Sequence, residues 1–136
     1  MKFDPNRDYP LGARRPELVT TTAGTPLAEL TLEAARAGRL LAGELRATPD
    51  TLRRQAEVAR AAGRTQLAEN LERAAELAGL PDDELLAVYT ALRPGRSTAA
   101  DLQAWADRLD GAGASRTAAF VREAAEAYAA RALLAS

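Results

Sequence analysis

Between residues 48 and 128, helix-opening and helix-closing residues alternate at intervals of roughly three to four helical turns, and this punctuation admits little except short helices. Thr48 precedes Pro49, an N-cap followed by proline at the first helical position. The run through Leu52, Ala56 and Ala59 then reaches Gly63, which suits a left-handed stop. Thr65 is expected to cap the next segment, whose Leu67, Leu71, Ala74 and Ala78 share one face before Gly79 closes it. Pro81 opens another, with Asp82, Asp83 and Glu84 in the first turn, where negative charge suits the helix dipole. Leu85, Val88, Tyr89 and Leu92 form its apolar stripe, and Pro94 ends it. Ser97 or Thr98 caps a fourth helix, expected to bury Leu102, Trp105, Ala106 and Leu109 ahead of Gly111. The last starts near Ser115 and is expected to bury Val121, Ala124, Ala125 and Tyr128. A shorter helix fits between Thr31 and Gly38. No window alternates with period two, so the expected class is all-α, a compact array of about five short helices.

Residues 1–30 read differently. Pro5, Pro10, Pro16 and Pro26 recur with Gly12 and Gly24, and each proline removes a backbone donor and disfavours helix before it. Tyr9, Leu11, Leu18 and Val19 are too apolar for a solvated tail. The expectation is an extended N-terminal arm over residues 1–30 that packs on a partner, followed by a helical domain over 31–136.

The core is expected to be thin. Of 136 residues 33 are Ala and none is Ile, while Leu, Val and Phe together number 26. Near-equal counts of 18 basic and 19 acidic residues argue against disorder, so a partner is expected to supply part of the stability. The absences narrow the function. Without Cys there is no thiol nucleophile or thiolate ligand. Without His the commonest general base and metal ligand are missing. The sole Lys is Lys2, which leaves no lysine for a buried Schiff base or phosphate loop. Arginines are matched by carboxylates along the chain, and no uncompensated basic face for nucleic acid is evident. No apolar run is long enough for a membrane span, and MKFDPNRDYP lacks a signal-peptide core, so a cytoplasmic location is expected.

Four clusters have both a chemical and a structural reading. Glu69, Glu72 and Glu76 stack on one face, but with Arg73 among them and no His available they read as a salt-bridged surface and not a metal site. Asp82, Asp83 and Glu84 are explained by the dipole. Arg93-Pro94-Gly95-Arg96-Ser97 is either a carboxylate-binding turn or a capped turn whose arginines bond helix carbonyls. Phe120 and Arg122 flank Val121 and are either interface anchors or a widened core face, whereas Trp105 reads as core.

DYPL (Asp8 to Leu11), LTLE (Leu30 to Glu33), RATPDTLRRQAEVARAAGRTQLAENLERAAEL (Arg46 to Leu77), PDDELLAVYTALRPGRST (Pro81 to Thr98) and AAFVREAAEAY (Ala118 to Tyr128) carry a resemblance across nearly the whole chain. Together they resemble the small, or gamma, subunit of adenosylcobalamin-dependent diol and glycerol dehydratases. The resemblance implies a holoenzyme of large, medium and small subunits, assembled as a dimer of heterotrimers. It implies a (β/α)8 barrel in the large subunit for the diol and a metal ion, with cobalamin between the large and medium subunits. Radical chemistry would convert 1,2-propanediol or glycerol to an aldehyde plus water. The small subunit would be helical, would lie against the large one, and would contribute no catalytic, cofactor-binding or metal-binding residue.

The subunit contacts expected on this reading are Tyr9, Pro10 and Leu11 in the arm, Arg93 and Arg96 at the turn, and Phe120 and Arg122 on the last helix. Two departures from the family pattern stand out. Gly95 occupies a position where relatives have an aromatic residue. Relatives associated with bacterial microcompartments carry a longer N-terminal extension, whereas seven residues precede Asp8 here, so encapsulation through this chain's own tail is not expected. The rival reading is a stand-alone helical adaptor or regulator diverged from that subunit.

Overall fold

The computed structural model describes residues 2–136 and is all-α. The described residues form eight α-helices: α1 (Pro5–Asp8), α2 (Leu11–Arg14), α3 (Leu32–Arg36), α4 (Pro49–Ala61), α5 (Thr65–Leu77), α6 (Asp82–Ala91), α7 (Ala99–Gly111) and α8 (Ser115–Ala130). Three short 3-10 turns join them, and one isolated antiparallel bridge pairs Thr20 with Pro26. The chain divides into two compact units, Met1–Ala78 and Gly79–Ser136. Residues 4–30 fold within the first as two one-turn helices and irregular segments.

The punctuation places most helix ends, with small shifts that have local causes. Thr31, Thr48 and Thr98 N-cap α3, α4 and α7 through their hydroxyls. Thr65 does not cap α5; it is the first helical residue, and Arg64 holds the cap position without a side-chain bond. The reason lies in the preceding turn. The Arg64 amide donates to the Ala59 carbonyl (2.8 Å), a helix stop so tight that α5 begins at once. Gly111 lies inside α7, and the left-handed stop is Gly113.

The two units share a plan. The starts of α4 and α5 recur as those of α7 and α8, each displaced by 50 residues (49 to 99, 65 to 115). The Thr48 and Thr98 hydroxyls accept from Thr51 N and Asp101 N, each at 3.2 Å. Gly63 (φ 73°) and Gly113 (φ 79°) make the same turn, and Ala114 N donates to Leu109 O at 2.8 Å as Arg64 N does to Ala59 O. Where α4 meets α5 and α7 meets α8, Ala56, Ala68, Ala106 and Ala118 are almost wholly buried. Their missing side-chain bulk lets paired helices approach closely. The interhelix ion pair recurs with its polarity reversed: Arg60 Nη2 to Glu72 Oε1 at 2.6 Å, and Arg122 Nη2 to Asp110 Oδ2 at 2.6 Å.

The units part company at the helix before each hairpin. At the same displacement α6 starts at residue 82 and α3 at residue 32, but α6 runs ten residues and α3 only five. Gly38 (φ 70°) follows α3 at the position where α6 carries the buried Val88. In the second unit Val88 and Ala91 pack with Leu102, Ala106, Leu109, Ala114, Ala118 and Val121, the side of the core that Trp105 and Tyr128 extend. In the first, the hairpin core holds only Ala56, Ala59 and Ala68, with Leu71 against it.

Candidate functional site

The first unit has an open apolar cleft of about 740 Å³ along one side of the α4–α5 hairpin. Its floor includes Val58, Ala59, Leu67 and Leu71, Gln55 and Arg64 lie among the lining residues, and Tyr9, Pro10 and Leu11 come from the arm. Sequence periodicity places Leu67 on the buried face of α5, but that face is Ala68, Leu71 and Ala75, and Leu67 remains 43% exposed in the cleft. Three of the expected contact residues therefore meet here. Tyr9 is exposed and Pro10 exposed beside it, whereas Leu11 is buried within its own unit and holds the arm in place.

Two carboxylates fix that arm. Asp8 is buried, with Arg7 donating to it from Nε (2.7 Å) and Nη2 (2.8 Å), Arg15 from Nη1 (3.0 Å) and the Asp4 amide at 2.9 Å. The Arg7 bond is the main cause holding the Asp8 carboxyl far below the usual carboxylate range, aided by the Asp4 amide and the Arg15 charge. Glu44 accepts from the Leu41 amide (2.9 Å) and the Thr25 hydroxyl (2.6 Å), and these bonds lower its pKa. Arg54 on α4 donates to the Leu18 carbonyl at 2.8 Å, pinning the arm to the hairpin.

In the second unit Arg93 and Arg96 are exposed on the α6–α7 turn, and their side chains have no hydrogen-bond or ion-pair partner among the described residues. The turn is held from elsewhere. Gly95 N donates to Leu133 O and Ala135 N to Ser97 O, both at 2.8 Å, while the Tyr128 hydroxyl donates to Leu92 O at 2.6 Å. The Ser97 hydroxyl donates to Ala91 O at 2.9 Å, closing the end of α6. Phe120 is 44% exposed on α8. Arg122 is committed within its own unit, donating to Asp107 (3.1 Å) and Asp110 (2.6 Å) and so tying α8 to α7. Trp105 packs against the core with Arg108 over its ring. Tyr89, expected in the α6 stripe, is exposed with Leu86, because α6 is apolar on two faces and only Val88 and Ala91 turn inward.

The chemical clusters weighed in the sequence form no centre. Glu72 accepts from Arg60, and Glu84 from Arg108 at 2.5 Å. Among the described residues no three His, Cys, Asp or Glu side chains gather as a metal site. No helix among them is long and apolar enough to cross a membrane.

Known proteins share this arrangement of sequence. The family model described as dehydratase small subunit matches residues 5–135. The propanediol dehydratase small subunit of Citrobacter freundii is 50% identical over 122 residues, covering 89% of this chain and 71% of that protein. Its counterpart in Salmonella typhimurium is 49% identical over 122 residues, covering 89% and 70%. With the match running from the arm through α8, the chain belongs to the dehydratase small subunit family.

Proposed function

We propose that this chain is the non-catalytic small subunit of a coenzyme B12-dependent diol or glycerol dehydratase, in which it stabilises the large, catalytic subunit. The observation that carries the reading is the near-50% identity to propanediol dehydratase small subunits over 89% of the chain. Its physical support is the lack of catalytic equipment joined to an incomplete first-unit core with an open apolar cleft. Adenosylcobalamin would supply the radical chemistry in the complex. The residues of this chain do not fit that group: with neither His nor Cys, and with an open apolar cleft, they offer no donor set for cobalt. The cofactor is accordingly assigned to the large and medium subunits, in a cytoplasmic dimer of heterotrimers. On this chain Tyr9, Pro10, Arg93, Arg96 and Phe120 meet the partner, with Leu11 and Arg122 holding their neighbours in position.

The test is co-expression with candidate large and medium subunits, size-exclusion chromatography, and a cobalamin-dependent aldehyde assay on propanediol and glycerol. Co-elution, with solubility or turnover lost when this chain is omitted, is the expected result. A chain that elutes alone beside two fully active companions would instead be a free-standing adaptor.

A further inference from the structure

The internal repeat shows what the cleft lacks. Cleft residues Gln55, Ala59 and Leu71 correspond, fifty positions on, to Trp105, Leu109 and Val121. Those three belong to or pack against the second unit's core, to which Val88 and Ala91 of α6 also belong. The same flank of an equivalent hairpin is thus joined by a ten-residue helix in one unit and only partly covered in the other, where Ala59 is buried but Gln55 and Leu67 stay exposed. It stays partly open because α3 stops after five residues and Gly38 stands where Val88 would be. The arm covers this flank only in part: Leu11 is buried against it, but Leu67 stays 43% exposed.

We propose that the cleft takes up an apolar helix of the large dehydratase subunit, seated on α4 and α5 as α6 is seated on α7 and α8. This rests on the subunit reading above and names the contact that reading leaves unspecified. The second unit supplies the specification of the occupant. It carries small apolar residues three positions apart on one face, as Val88 and Ala91 do, because a hairpin closed on alanines leaves shallow grooves. Arg64 in the cleft lining has no ion-pair or hydrogen-bond partner for its side chain among the described residues, so a carboxylate flanking the helix's apolar stripe would complement it.

The experiment uses the co-expressed complex and three variants. Leu67→Lys places a charge in the cleft, and Gln66→Lys places the same charge on the next, exposed residue of α5. Leu67→Lys is expected to weaken association with the companion subunits at least tenfold, with the isolated chain melting as the wild type does. Gln66→Lys should change association less than twofold. Because the chain has no native Cys, Leu67→Cys carries a single photo-cross-linker without background. In the purified complex it should capture one helical segment of the large subunit bearing small apolar residues three apart. Equal effects of the two lysine variants, or capture of a non-helical segment or the medium subunit, overturn the proposal. So does capture of a second copy of this chain. If wild-type chain binds no companion subunit, the subunit reading falls and takes this one with it. If wild type binds and Leu67→Lys binds equally well, only the cleft assignment falls.

Discussion

The α4–α5 and α7–α8 hairpins are built alike and finished differently. Each starts at a threonine cap, turns on a left-handed glycine, closes on buried alanines and ties its two helices by an arginine–carboxylate pairing. The second hairpin gains a third helix and a core with Leu102, Leu109 and Val121 fully buried. The first gains a short helix, a bound arm and an apolar cleft. A helical hairpin is a local object, specified by caps, turns and alanines. A core is not local: it needs a third element to cover the hairpin's apolar flank, and here that element runs ten residues as α6 but only five as α3, which Gly38 follows where α6 has Val88.

The comparison can be broken most severely by giving the second unit the first unit's residue. Val88→Gly removes a buried side chain and places glycine inside α6, with an expected cost of about 3 kcal/mol. Trp105, the one tryptophan, lies in that unit, so its fluorescence during urea unfolding reads the loss directly. Acid should strike the units unequally. The folded state holds Asp8 and Glu44 below their ordinary pKa, so it binds fewer protons than the unfolded chain in mild acid. The stability they confer is complete above about pH 4 to 5 and is lost as pH falls below that range. NMR at pH 3 against pH 6 should therefore show residues 4–25 losing order before α7 and α8, where Asp101 at the α7 cap is also held below its ordinary pKa, and no such change between pH 6 and 8.

Smaller effects sharpen the likeness. Thr48→Ala and Thr98→Ala should each cost about 1 kcal/mol in urea unfolding. Thr98→Ala should cost more, because Asp101 completes a reciprocal capping box there. Exchanging the first ion pair to the second's polarity, Arg60→Glu with Glu72→Arg, should leave stability within roughly 0.5 kcal/mol of wild type, as expected for a pair with one partner half-exposed. A larger loss would mean that the two hairpins are not interchangeable in their surface charges.

Helix positions were legible in the sequence because caps, prolines and glycines act within a few residues of where they stand. Thr31, Thr48, Pro81 and Thr98 all mark starts in the structure. What is packed on what was less legible. Leu67 and Leu71 look equivalent at helical spacing and both line the cleft, yet Leu71 also packs against the hairpin core while Leu67 stays exposed, since the arm and a missing helix decide between them. Nothing in the sequence marks Asp8 as buried, and only the fold brings Arg15 to it beside its neighbour Arg7. Arg122 reads as an interface anchor because its partners, Asp107 and Asp110, belong to the preceding helix. The repeat itself leaves a trace in Thr48/Thr98, Gly63/Gly113 and Ala68/Ala118, but alanine-for-leucine changes and a reversed ion pair obscure it.

The arm's attachment has a consequence for the order of folding. Each hairpin joins its helices across three residues, 62–64 and 112–114, so its contacts form without closing a long loop. The bond from Arg54 to Leu18 spans 36 residues, and α1 also rests on α4. Those contacts require a longer loop to close and a hairpin already present to receive the chain. In refolding, helical signal should thus appear before the arm becomes protected from proteolysis. Within the first unit the arm is the last part to find its place.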